Sequence, residues 1–157
     1  MRKSSLLLAV CCGPCATVAV ERLSPDYNVT LFFWGNNLHP AEEFEKRREA
    51  VLKLGKRTII ADYKPMQPES CEHCFAMRLR AASEYAHANG FEYFATSLTT
   101  SPHKDARLIN KLGSDFPGYI PTDFKKDNGF ARSVELSKQL GLYRQNYCGC
   151  ARSQRTD

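Results

Sequence analysis

From Leu6 to Val10 the chain carries no polar side chain, and this run ends on Cys11-Cys12-Gly13-Pro14-Cys15. With Ser5 ahead of it, this short apolar run without alternation reads as a strand over residues 5–10, buried on both faces, as strands are inside a parallel sheet covered by helices. Preceded by Arg2 and Lys3, the run also imitates a secretory signal. It is shorter than the apolar segment of about seven or more that such a signal needs, and Cys and Gly follow where a cleavage site should be. The strand is the better reading, and without an export signal the chain is expected in the cytoplasm.

The remaining pattern alternates in type. Residues 16–23 read as a helix, 28–34 as a strand rich in aromatic and β-branched residues, and 40–54 as an amphipathic helix stopped by Gly55. A third strand follows at 57–61, a long helix at 71–89 ended by Gly90, and a fourth strand at 92–96. Ser101-Pro102 looks like the N-cap and first position of a helix running to Leu112. Residues 119–122 are expected as a fifth strand, and 133–140 as a last helix stopped by Gly141. Strands alternating with helices imply a three-layer α/β fold with a mostly parallel sheet. The 157 residues suit a single domain, 1–157, with 43% hydrophobic and 25% charged residues, an ordinary globular composition. No apolar run approaches the roughly 20 residues of a membrane helix. The net charge of +5 permits a polyanionic partner without requiring one.

In such folds ligands bind beyond the C-terminal ends of the strands. Residues 11–15, 36–40 and 97–103 fall there. The seven cysteines form three groups: Cys11, Cys12 and Cys15; Cys71 and Cys74; and Cys148 and Cys150. Buried small hydrophobes would not gather in this way. In a reducing compartment, an odd number of clustered thiols points to metal binding or catalysis rather than a disulfide framework.

Three chemistries compete. Cys12-Gly13-Pro14-Cys15 is the thioredoxin tetrapeptide, placed after a strand and at a helix start where the dipole lowers a thiol pKa, but the aromatic residue that usually precedes it is missing. Cys71 and Cys74 with Cys148 and Cys150 would make a four-thiolate zinc site. Thiolates gathered from the loop and the long helix would equally hold an iron–sulfur cluster. The spacing Cys71-x-x-Cys74 suits one metal in either case; the surplus of three cysteines beyond four ligands favours the redox-active cluster.

Several longer runs resemble a known family, the cobalamin-independent epoxyqueuosine reductases (QueH). They are Cys11 to Thr17; Asn37-Leu38-His39-Pro40 with Glu43; Cys71-x-x-Cys74-Phe75-x-Met77-Arg78-Leu79; Gly90-Phe91-x-Tyr93-Phe94; Thr96 to Lys104; Ser133 to Lys138; and Leu140 to Cys150. The likeness covers nearly the whole chain in order. It implies a Rossmann-like fold of the nucleotide-binding HUP superfamily, related to the PP-loop enzymes, with the cysteine loop where those proteins hold phosphate. It further implies reduction of the epoxide of epoxyqueuosine, at the wobble position of tRNA, to the alkene of queuosine. A [4Fe–4S] cluster on Cys11, Cys12, Cys71 and Cys74, an additional iron beside it, a redox-active pair Cys148/Cys150 and an external electron donor belong to the same implication, and Cys15 is a further candidate metal ligand. The chain departs from the family in two short stretches, between the third strand and Cys71 and from Gly113 to Pro121.

His39 and His103 fall in strand-end loops, and His103 is a candidate acid. His73, between two ligand candidates, is expected to point away, and His87 to lie on a solvated helix face. Lys104, in the first turn of the expected helix, opposes its dipole, which an anion at that terminus would explain. Arg78, one turn after Cys74, suits either the cluster's negative charge or a phosphate. With Lys104, Lys125, Lys126 and Arg144 it completes the basic residues expected to meet tRNA. Trp34, Phe75 and Tyr147 are candidates for stacking on an extruded base. The rival functions are a thioredoxin-like thiol oxidoreductase and a zinc-stabilised RNA-binding module.

Overall fold

The computed structural model describes residues 2–150. The apolar run forms β1 (Ser4–Val10), joined by β2 (Tyr27–Phe33), β3 (Thr58–Ile60) and β4 (Tyr93–Thr96). The sheet is entirely parallel, in the order β3-β2-β1-β4, so β1 is interior, with Leu6 opposite Val29 on one side and Tyr93 on the other. Its alternating residues feed two cores. Leu6, Leu8 and Val10 pack with Ala16, Val18 and Ala19 of α1 (Gly13–Leu23) and with Phe44 and Val51 of α2 (Ala41–Leu52). Leu7 and Ala9 pack on the other face with Phe75, Leu79, Ala82 and Ala86 of α3 (Cys71–Ala88) and Ile109 of α4 (Ala106–Gly113). The last helix, α5 (Gly129–Leu140), packs on α1. Leu6, Leu7 and Leu8 are completely buried, each contributing about 1.5–3 kcal/mol of transfer free energy. The result is the expected three-layer, Rossmann-like α/β fold.

Strand order adds what the sequence pattern does not contain. The chain steps from β1 to β2 to β3 in one direction, then returns to place β4 on the opposite side of β1. The direction of winding reverses between β1 and β4, which opens a crevice at their C-terminal ends. The cysteine loop leaves β1 there, and residues 97–104 leave β4 there.

Two expectations are corrected. Residues 119–122 do not form a fifth strand: Tyr119 makes one isolated parallel bridge with Phe94, through Phe94 N–H to Gly118 O and Ile120 N–H to Phe94 O. Pro121 has no N–H to continue the ladder. The fourth helix does not begin at Ser101-Pro102 either. A 3-10 turn (Leu98–Thr100) and a further turn come first, and α4 starts at Ala106, capped by Asp105, whose Oδ1 accepts from Arg107 N–H at 2.9 Å and Leu108 N–H at 3.4 Å. Ser101 instead closes the turn, its carbonyl accepting from Lys104 N–H. Lys104 therefore precedes the helix, and the dipole argument for an anion beside it no longer applies.

Candidate functional site

A cavity of about 370 Å³ opens at the crevice, within the size range of small-molecule sites. Four thiols reach its wall: Cys11, Cys12 and Cys15 from the loop after β1, and Cys148 from the C-terminal segment. Cys11 follows the buried strand, Cys12 is the N-cap of α1, and Cys15 lies in its first turn with Pro14. Gly13 lets this terminus lie against α2, because a Cβ there would be 3.0 Å from Ala50 Cβ and 3.1 Å from its carbonyl oxygen.

The three loop thiols form a chain of contacts with divided acidities. The interaction with Cys12, followed by burial, pushes Cys11 well above the usual thiol range. Cys12 is lowered by Cys11, but Cys15 and burial outweigh this and leave it at about 11. Cys15 is shifted down, chiefly because the Cys12 thiol hydrogen-bonds to it. Lys104 approaches the same group from the β4 side and favours the thiolates of Cys11 and Cys15. Thr100 Oγ1 donates to Cys15 O at 2.9 Å and holds the two loops together.

Cys74 lies on the α3 side, buried, with its acidity suppressed by that burial and partly restored by Arg78; Cys11 and Cys148 are within electrostatic reach. Arg78 is only 5% exposed. Its Nε and Nη1 have no hydrogen-bond partner. Burial opposes its charge, and negative charge on the Cys11 and Cys74 sulfurs would favour it more strongly, so the net shift is upward. Arg78 therefore faces the cysteines and offers no surface to a phosphate. Cys71, first residue of α3, is exposed. Among the described residues the cysteines are joined by no disulfide, and no three His, Cys, Asp or Glu side chains stand together as a metal-holding group.

A thiolate-bound cluster is compatible with the donor set on two grounds. Thiolates are its ordinary ligands, and a buried guanidinium with two unpartnered nitrogens calls for negative charge beside it.

The remaining candidates divide sharply. His103, exposed, and Arg144 line the cavity mouth with Lys104. Lys126 is exposed, but Lys125 turns inward, with Nζ donating to Thr99 O at 2.9 Å and Lys104 O at 3.1 Å and pairing with Asp123. His39 meets Met66 O through Nε2 at 2.7 Å. His73 accepts from Glu69 N–H at the start of α3, away from the cavity, and His87 is exposed. Of the aromatic candidates, Tyr147 lines the cavity, Phe75 is core, and Trp34 borders a separate small void with Cys11 and Arg78.

Two cavity residues escaped sequence reasoning. Phe130, at the start of α5, is 42% exposed at the cavity edge. Its only signal in the sequence is a large apolar residue beside Gly129, just ahead of the helix expected over 133–140. Arg47 is almost completely buried in the cavity wall. Its i,i+4 spacing from Glu43 is, in sequence alone, that of an ordinary solvated helix pair.

Comparison with known proteins adds an independent finding. The chain matches the family model described as "Epoxyqueuosine reductase QueH" over residues 6–66 and 56–156. It is 37% identical to the epoxyqueuosine reductase QueH of Streptococcus pyogenes serotype M1, covering 94% of this chain and 69% of that protein. It is 31% identical to the QueH of Thermotoga maritima, covering 93% of this chain and 88% of that protein. The first alignment spans 177 positions although this chain has 157 residues, so the relative carries segments that are absent here. With the family model matching along nearly its whole length, the chain belongs to the QueH family of epoxyqueuosine reductases.

Proposed function

We propose that the chain reduces the epoxide of epoxyqueuosine in tRNA to the alkene of queuosine, in the cytoplasm. Supporting this are the family membership and, above all, a nucleoside-sized cavity at the β1/β4 crevice onto which four thiols open. Removing the epoxide oxygen consumes two electrons and two protons and releases water. Oxidation of the Cys148 and Cys150 thiols to a disulfide supplies those numbers, and an external donor then restores the dithiol. The two sulfurs are 3.4 Å apart.

A [4Fe–4S] cluster held by Cys11, Cys12, Cys71 and Cys74, with Cys15 available to an additional iron, would supply one-electron chemistry when bound. Arg78 would balance its charge from the α3 side. His103 and Lys104, at the cavity mouth, can hand a proton to the departing oxygen or stabilise its charge. Phe130 and Tyr147 present rings at the cavity where an extruded base can stack. No helix of the described residues is long and apolar enough to cross a membrane.

Anaerobic purification, iron analysis and incubation with epoxyqueuosine-containing tRNA and a reductant test the proposal. An iron-bearing, coloured protein whose product nucleoside has lost one oxygen is expected. A colourless protein that reduces disulfides and leaves the epoxide untouched would replace it with the thiol-oxidoreductase reading.

A further inference from the structure

The interactions of Arg47 point away from its own helix. Its Nε donates to Glu43 Oε2 at 2.7 Å, one turn earlier in α2. The other two nitrogens reach the C-terminal segment: Nη1 donates to Cys148 O at 3.0 Å and Nη2 to Tyr147 O at 2.8 Å. The guanidinium also lies 5.5 Å from the Tyr147 ring centroid. The second oxygen of Glu43 accepts from the Tyr143 hydroxyl at 2.6 Å. Just before α2, the His39 carbonyl accepts from the Tyr147 hydroxyl, and His39 N–H donates to Gly149 O at 2.7 Å. Three successive carbonyls, of residues 147, 148 and 149, are thus all held from the α2 side.

Gly149 shows how close this seat is. Its φ is +110°, and a Cβ there would be 2.3 Å from Leu38 Cδ2 and 3.0 Å from Arg47 Nη1. A segment that, like residues 142–150, forms no helix or strand is ordinarily loose unless tied down. A buried arginine with a single carboxylate partner is itself costly unless its remaining donors are satisfied. Both facts have one explanation.

We propose that Arg47 is a positioning residue for the Cys148/Cys150 dithiol, its planar fork, aimed by Glu43, clamping the segment so that Cys148 faces the cavity beside the Cys11–Cys15 loop. The inference rests on the reading of Cys148/Cys150 as the redox pair. Lysine does not replace such a fork, because it cannot hold two carbonyls and a carboxylate in one plane.

The test uses anaerobically purified, metal-loaded protein with Arg47→Lys, Arg47→Met and Tyr143→Phe. Losing the two carbonyl bonds should speed alkylation of Cys148 and Cys150 about tenfold by local opening. The equilibrium for closing their disulfide should fall by about the same factor, raising the midpoint potential by about 30 mV. Turnover should drop in kcat, with KM for the tRNA nearly unchanged. Tyr143→Phe, which removes only the bond to Glu43, should move each quantity in the same direction by less. Unchanged alkylation and unchanged potential in folded Arg47→Lys would overturn the proposal; if Arg47→Met does not fold, Arg47→Lys and Tyr143→Phe decide. Alkylation is read without turnover, so it judges the clamp separately. Full activity of the Cys148→Ser/Cys150→Ser protein would instead remove the redox reading beneath it.

Discussion

The Arg78 guanidinium of α3 and the Cys11 thiol just after β1 line one small void, both buried, on the side of the sheet opposite α1. With the thiols protonated, the arginine is an uncompensated buried cation, which is a costly state. Arg78→Met should therefore leave the melting temperature of metal-free protein unchanged or slightly higher. The same variant should retain clearly less iron per chain after anaerobic purification, because a negative cluster would lose its countercharge. Iron analysis and the visible spectrum check this; full iron loading in the variant would show that Arg78 does not serve the cluster.

Thr100 is completely buried, and its hydroxyl bond to Cys15 O crosses the crevice. Thr100→Val removes that bond with almost no change in shape and should cost about 1 kcal/mol. The loss should appear as a lower urea midpoint at unchanged slope. An effect confined to thiol reactivity, with stability intact, would mean that other contacts hold the two loops together.

The basic residues should separate into two behaviours. Arg144 and Lys126 are exposed, so neutralising either should reduce the log–log salt slope of tRNA binding by roughly 0.7 to 0.9 if it contacts one phosphate. Lys125 serves the carbonyls of Thr99 and Lys104. Lys125→Met should lower stability by about 1–3 kcal/mol and leave the salt slope alone. Filter binding across a salt series, together with urea unfolding, distinguishes the two kinds of residue.

Phe130 has the opposite signature. Stacking carries no counterion release, so Phe130→Ala should weaken binding of epoxyqueuosine-containing tRNA by about 1–3 kcal/mol at every salt concentration. Phe130→Tyr should restore most of the loss, since either ring offers a stacking face. Equal binding by the alanine variant would assign the base to Tyr147 alone.

The sequence by itself determined the class of fold, because each element reports on its own burial. An unbroken apolar run such as Leu6–Val10 belongs inside a parallel sheet, and helices ending at Gly55, Gly90 and Gly141 take the positive φ that glycine permits. It also named the cysteine groups, since thiols of this number and spacing have few uses in a chain of this composition. What it could not supply was anything set by contacts between distant segments. Local cap preference favoured Ser101-Pro102, but the loop is held by Cys15, Lys125 and Thr122, and the helix waits for Asp105. Residues 119–122 had strand propensity without a second partner beyond Phe94. Lys125 and Arg78 carry the charge of phosphate-binding residues, and only the packing around them shows that both are engaged internally. Arg47 and Glu43 formed an ordinary-looking helix pair until Tyr143, Tyr147 and Cys148 arrived from a hundred residues away. Spacing along the chain records which side chains share a helix face; only the tertiary structure decides which buried charge a distant backbone carbonyl will meet.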